Sequence, residues 1–272
     1  MNPILLAILS MGAVAAICGV ILSVASKIMH VEVDETEAAL RAHLPGANCG
    51  ACGFAGCDGY AVALAKGEVA TNLCTVGGDA VAREIAETLG TAPEDVAELV
   101  AINHCGGSAS VAEKLHEYQG FMMCSGARMY FGGDSTCAYA CLGYGDCALV
   151  CPNDAICIRD GVARINPRRC IGCGLCAKAC PNHIISMVSD TVRVIVKCSS
   201  CDKAADVRQK CKAGCIACGK CEKECPQGAI KVENNLAIID YDKCTGCGYC
   251  AEVCVVKCIK AADFTGAIRS IK

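Results

Sequence analysis

Residues 170–181 read CIGCGLCAKACP, residues 215–226 read CIACGKCEKECP and residues 244–255 read CTGCGYCAEVCV. Each carries the run C-x2-C-x2-C-x3-C, in which three thiolates cap one [4Fe-4S] cluster and the fourth crosses to a neighbouring one. Runs of this kind work in pairs, so they predict small α+β units organised by metal clusters rather than by bulky side chains. Composition agrees with that reading. The 272 residues include 28 Cys and 28 Gly but no Trp and only 4 Phe, too few aromatics for an aromatic-rich core. A net charge of -3 without a basic block excludes the clustered Lys and Arg that nucleic-acid phosphates demand.

The C-terminal half is a duplication. Cys124, Cys137, Cys141, Cys147, Cys151, Cys170, Cys173, Cys176 and Cys180 recur 74 residues later as Cys198, Cys211, Cys215, Cys221, Cys225, Cys244, Cys247, Cys250 and Cys254. Pro152, Gly172 and the pair Ala155-Ile156 keep the same offset. In the second module Cys215, Cys218 and Cys221 are expected to take Cys254 as fourth ligand, and Cys244, Cys247 and Cys250 to take Cys225. In the first, Cys170, Cys173 and Cys176 take Cys151. The remaining triplet departs from the pattern because Tyr144 stands where the middle Cys belongs, which leaves Cys137, Cys141 and Cys147 to bind with Cys180.

Upstream, a short helix begun by Asp34 is expected to end at Pro45-Gly46 before the loop GANCGACGFAGC. Cys49, Cys52 and Cys57, with Cys74 beyond a second helical stretch, make a fifth quartet, and the interleaved glycines let backbone N–H groups approach cluster sulfurs. Zinc usually pairs two separated C-x2-C knuckles, and disulfides need an oxidising compartment; neither suits alternating thiol triplets as well as iron does. Twenty cysteines thus account for five clusters. Cys18, Cys157 and Cys258 are expected only to pack, while Cys105, Cys124 and His104 have no assigned role. Cys198, Cys201 and Cys211 supply three thiols without a fourth, a candidate sixth metal site.

Pro3 to Ser26 contains no charge and, at about 1.5 Å per residue, is long enough to cross a hydrocarbon core. No Lys or Arg precedes it, as a signal peptide would require, and Lys27 follows it. The expectation is a single-pass anchor in the cytoplasmic membrane with the body on the cytoplasmic side. Gly12, Ala15, Ala16, Gly19 and Ser23 would let another transmembrane helix approach closely. The expected divisions are an anchor at 1–27, a small helical cluster domain at 28–92, a connecting segment at 93–123, and ferredoxin-like modules at 124–189 and 190–272.

Taken in order, the apolar N-terminal run, the LPGANCGACGFAGC motif with Cys74, and the ferredoxin modules resemble the B subunit of the Rnf complex, the ion-translocating ferredoxin:NAD oxidoreductase. The resemblance implies an electron-entry subunit that takes electrons from reduced ferredoxin and passes them toward membrane and flavin-containing subunits. No G-x-G-x-x-G follows a strand here, so NAD chemistry would belong to a partner. A membrane-tethered polyferredoxin acting alone is the rival reading. Because natural ferredoxins are usually acidic, Lys210, Lys212, Lys220 and Lys223 are the expected docking cations.

Overall fold

The computed structural model describes residues 3–28, 34–96, 98–130, 132–262 and 264; in the first of these stretches side chains are described for 11–24. The chain opens with helix α1 (Pro3–Ile28), on which every side chain from Met11 to Val24 is exposed. Among the described residues no helix is long and apolar enough to cross a membrane; the run expected to do so, 3–26, reaches past the described side chains at both ends.

Three helices form the first body: α2 (Glu35–His43), α3 (Cys57–Ala65) and α4 (Gly78–Leu89). Asp34 caps α2 by accepting the N–H of Thr36 at 2.9 Å, as its position in the sequence predicts. Leu40, Leu44, Tyr60, Leu64 and Ile85 close a core between the three helices. A strand, β1 (Leu99–Asn103), and a short helix, α5 (Cys124–Met129), follow. The two modules then continue through α6 (Asp146–Leu149), β2 (Ile156–Arg159), β3 (Val162–Ile165), α7 (Leu175–Ala179) and β4 (Ile185–Ser189), and through β5 (Val194–Val196), α8 (Ala204–Lys210), α9 (Lys220–Lys223), β6 (Ile230–Glu233), β7 (Leu236–Ile239), α10 (Tyr249–Val253) and β8 (Ile259–Ala261).

The 74-residue offset is kept element by element from α6 to β4 and from α9 to β8. The reason is local. Asp160-Gly161 and Asn234-Asn235 all take positive φ, 51° and 74° in one pair and 50° and 64° in the other, the geometry of a tight hairpin turn. They fold β2 onto β3 and β6 onto β7. Gly145, Gly174, Gly219 and Gly248, each beside a cysteine run, sit in the left-handed region at φ between 70° and 91° and turn the chain into α6, α7, α9 and α10.

Two further antiparallel pairs complete the modules, β1 with β4 (Leu99 opposite Ser189) and β5 with β8 (Val194 opposite Ala261). The expected connecting segment 93–123 is therefore not a linker, since it supplies an edge of the first module. Both module cores are largely sulfur. Cys105, Cys147, Cys176 and Cys180 are buried with Ile156, Ile184 and Ile185 in one; Cys198, Cys215, Cys221, Cys254 and Cys258 are buried with Ile230 and Ile259 in the other.

Candidate iron-sulfur sites

Cys49, Cys52, Cys57 and Cys74 line one cavity of about 330 Å³. The side-chain oxygen of Asn48 accepts the N–H of Cys57 at 2.8 Å and fixes the entry to α3. Tyr60, buried beneath the cavity, donates its hydroxyl to the carbonyl of Ala70 (2.8 Å) and accepts the N–H of Leu73 (3.3 Å), tying down the loop that delivers Cys74. Burial pushes the Cys74 thiol up, and Cys57, Cys52 and Cys49 push it in the same direction. Gly50 sits at φ 65°, and a Cβ there would come within 3.1 Å of both Lys178 Nζ and the carbonyl of Phe54.

The runs with regular spacing bring their thiols together in the same way. Cys151, Cys170, Cys173 and Cys176 line a second cavity of about 330 Å³, and Cys225, Cys244, Cys247 and Cys250 a third of about 360 Å³. Backbone donors reach these sulfurs: Ala101 N–H to Cys170 Sγ at 3.4 Å and Ala155 N–H to Cys151 Sγ at 3.3 Å. Cys215, Cys221 and Cys254 are buried together, and the Cys221 thiol is pushed up to about 11 by burial and by Cys215, Cys218 and Cys254.

Cys258, expected only to pack, has a further contact. Its thiol lies 3.7 Å from Cys254 Sγ, and the neighbouring Cys215 together with burial pushes its pKa up. At the equivalent place the first module has Ile184. A donor to a cluster sulfur stabilises the reduced, more negative state. Cys258→Ala is therefore expected to lower the midpoint potential of the cluster at Cys215, Cys218, Cys221 and Cys254 by about 20–60 mV, the equivalent of one hydrogen bond, while Cys258→Ser stays near wild type. Equal potentials in a redox titration of the two variants would remove this role. Cys157, also expected to pack, is exposed on β2, and Cys18 is exposed on α1.

The irregular site corrects the sequence reading. Cys141, Cys147 and Cys180 line a cavity of about 330 Å³, but its fourth thiol is Cys124 from α5, not Cys137. Two acidic groups explain why. Asp146 accepts the N–H groups of Cys124 (2.7 Å) and Ser125 (2.9 Å), anchoring the first turn of α5 beside the cavity. Tyr144, in the place of the missing Cys, donates its hydroxyl to buried Asp134 at 2.6 Å, and Lys114 Nζ reaches the same carboxylate at 2.6 Å. Tyr144 and Tyr118 pack against Cys124, Ala127 and Leu142. The side chain that stands in the place of the middle Cys thus helps seat the helix that carries Cys124.

Cys137 instead joins Cys105, Cys198 and Cys211 around a separate cavity. Cys201, grouped with Cys198 and Cys211 in the sequence reading, does not line it; its thiol turns to the carbonyl of Ser199 at 3.9 Å. Both ring nitrogens of His104 are engaged, Nδ1 with the carbonyl of Val196 (2.8 Å) and Nε2 with Ser186 Oγ (2.7 Å). Burial holds its pKa below the ordinary value, so the neutral ring donates from Nδ1 and accepts at Nε2.

The donor sets fit iron-sulfur clusters. Burial and neighbouring thiols push Cys147 and Cys176 up to about 12 and Cys141 up to about 11, so several thiolates can form in one ring only where bound cations compensate them. Among the described residues no group of three or more His, Cys, Asp or Glu is gathered for a single metal ion. Four thiols line each of five cavities instead of converging on one point, as the corners of a multi-atom cluster require.

Helical caps, paired hairpins and thiol rings define an iron-sulfur protein built of ferredoxin-like modules. Residues 44–76 match the family described as "Putative Fe-S cluster", residues 163–186 the 4Fe-4S binding domain and residues 214–258 the 4Fe-4S dicluster domain. The chain is 43% identical over 260 residues to the B subunit of the Na(+)-translocating ferredoxin:NAD(+) oxidoreductase complex of Acetobacterium woodii, covering 95% of this chain and 78% of that one. It is 41% identical over 273 residues to the B subunit of the proton-translocating complex of Clostridium ljungdahlii (100% and 94% covered), and 38% identical over 243 residues to the B subunit of an ion-translocating oxidoreductase complex of Methanosarcina acetivorans (89% and 92% covered). The chain belongs to this family of B subunits of ion-translocating ferredoxin:NAD oxidoreductase complexes.

Proposed function

We propose that this electron-transfer subunit accepts electrons from reduced ferredoxin at its C-terminal module and relays them through 4Fe-4S clusters toward the membrane and flavin-containing subunits that reduce NAD. The observation that carries the reading is the adjacency of the thiol rings. Lys178, on α7 between ligands of the first module, donates its amine to the carbonyls of Cys49 (3.1 Å) and Gly50 (3.2 Å), and Thr75 donates its hydroxyl to the carbonyl of Gly172 at 3.3 Å. The ring of Cys49, Cys52, Cys57 and Cys74 therefore lies against the ring of Cys151, Cys170, Cys173 and Cys176. Cys176 in turn is close enough to Cys147 to raise its pKa.

Clusters exchange single electrons without making bonds, so the residues' task is to hold them close, exclude water and set potentials through hydrogen bonds and burial. In the proposed assignment the five quartets are Cys49/Cys52/Cys57/Cys74, Cys151/Cys170/Cys173/Cys176, Cys124/Cys141/Cys147/Cys180, Cys215/Cys218/Cys221/Cys254 and Cys225/Cys244/Cys247/Cys250. Helix α1 is the proposed single-pass anchor in the cytoplasmic membrane; its exposed Val14, Ile17, Val20, Ile21 and Leu22 call for an apolar surrounding. The expected outcome is a brown protein that co-purifies with further membrane subunits after mild solubilisation and is reduced by ferredoxin. Protease added to right-side-out vesicles should spare the body, and its digestion there would reverse the proposed orientation.

A further inference from the structure

The cavity ringed by Cys105, Cys137, Cys198 and Cys211 measures about 430 Å³, of the same order as the other thiol-lined cavities, and none of the five quartets uses these residues. Its thiols come from four separate places: just after β1, between α5 and α6, just after β5, and the end of α8. Gly107 lies between two of them, since a Cβ there would meet Cys105 Sγ at 3.5 Å and Cys211 Sγ at 3.6 Å. Cys137 is half-buried and near enough to Cys105 and Cys211 for both to raise its pKa.

The walls are tied from both sides. Lys212 N–H donates to the carbonyl of Val111 (2.9 Å), Thr136 Oγ1 to the carbonyl of Lys210 (3.3 Å) and Ser199 Oγ to the carbonyl of His104 (3.0 Å). The segment after β1 is thereby fastened to the second module. Charge is arranged for an anionic occupant. Lys197 lines the cavity, half-buried, with its amine on the carbonyl of Asn103 at 2.7 Å, while the nearby carboxylate of Asp202 is neutralised by Lys210 at 2.7 Å.

The sulfurs also point to what lies on either side. Cys105 Sγ accepts the N–H of Gly107 (3.4 Å) and of Cys141 (3.3 Å), and Cys198 Sγ accepts the N–H of Ser200 (3.5 Å) and of Cys215 (3.2 Å). Cys141 belongs to the irregular ring of the first module and Cys215 to a ring of the second. This cavity stands between the modules, one backbone hydrogen bond from each.

We propose that Cys105, Cys137, Cys198 and Cys211 hold a sixth 4Fe-4S cluster, which joins the two ferredoxin-like modules into one uninterrupted electron line. The proposal rests on the electron-transfer reading above and goes beyond it. One electron arriving from the ring at Cys215 reduces the junction cluster by one unit, and the same electron leaves to the ring at Cys141, with no bond or proton exchanged.

Iron and acid-labile sulfide counts on the full-length protein, prepared anaerobically, test this. The wild type should hold about 24 of each, and Cys105→Ser and Cys211→Ser about 20, because each 4Fe-4S cluster carries four of both. Cys201→Ser, outside the cavity, should keep the wild-type count. In the two serine variants ferredoxin should still reduce the clusters of the second module, while reduction of those in the first slows. A wild-type count near 20, or serine variants that keep the wild-type count, would overturn the sixth site and leave the other five in place. An iron-free protein would overturn the electron-transfer reading itself. The wild-type count decides the matter even if a serine variant loses all its iron through misfolding.

Discussion

Cys124→Ser is expected to remove about four iron and four sulfide per chain, the content of one 4Fe-4S cluster, and with them the electron path between Cys176 and Cys105. Every other ring keeps four thiols in that variant. Cys137→Ser, which a reading from spacing alone would rank as its equal, should leave the cluster at Cys141, Cys147 and Cys180 intact. Rescue sharpens the test. Tyr144→Cys in the Cys124→Ser background recreates the C-x2-C-x2-C spacing between Cys141 and Cys147 and should restore the lost iron, with some loss of stability because Asp134, 1% exposed, then keeps only Lys114. Iron content measured beside a thermal melt separates the two effects. A Cys124→Ser protein with undiminished iron would return the fourth position to Cys137.

What was legible in the sequence follows from distance along the chain. The runs at 170–181, 215–226 and 244–255 carry their own geometry, because ligands three residues apart, with glycine before each short helix, leave the backbone few other courses. The hairpin turns at 160–161 and 234–235 are local in the same sense. The pairing of Leu99 with Ser189 is not local, and nothing in the segment after residue 93 marks it as an edge of the first module. Cys124 was hidden differently. As the repeat mate of Cys198 it had no role that spacing could assign, and the two line different cavities. The overlooked signal was Tyr144: where a repeat lacks one Cys of a triplet, an unassigned thiol elsewhere is the candidate to complete the ring. Asp146 carried a second hint, for its repeat mate is Lys220, and only the acidic version can hold the N-terminus of α5.

Reversing charge at Lys212, Lys220 and Lys223 together is expected to slow reduction by ferredoxin at low salt by about tenfold or more, within the range that electrostatic steering contributes to association. All three are exposed, whereas Lys210, grouped with them by sequence, is held 2.7 Å from Asp202 and offers less free charge. Two thiols of the rings proposed in this module, Cys218 and Cys247, are themselves exposed, while the thiols of the first body, Cys49, Cys52, Cys57 and Cys74, are buried or half-buried. An electron arriving from a soluble acidic donor therefore has its shortest way in beside Lys220, two residues beyond Cys218. Salt provides the internal control. Raising ionic strength from about 0.01 to 0.15 M shortens the screening length from about 30 to 8 Å, so the gap between the wild type and the Lys→Glu variant should narrow. Reduction by dithionite, a small anion that needs no docking face, should leave every cluster as reducible as before. A variant reduced by ferredoxin at the wild-type rate at low salt would move the entry point away from the C-terminal module.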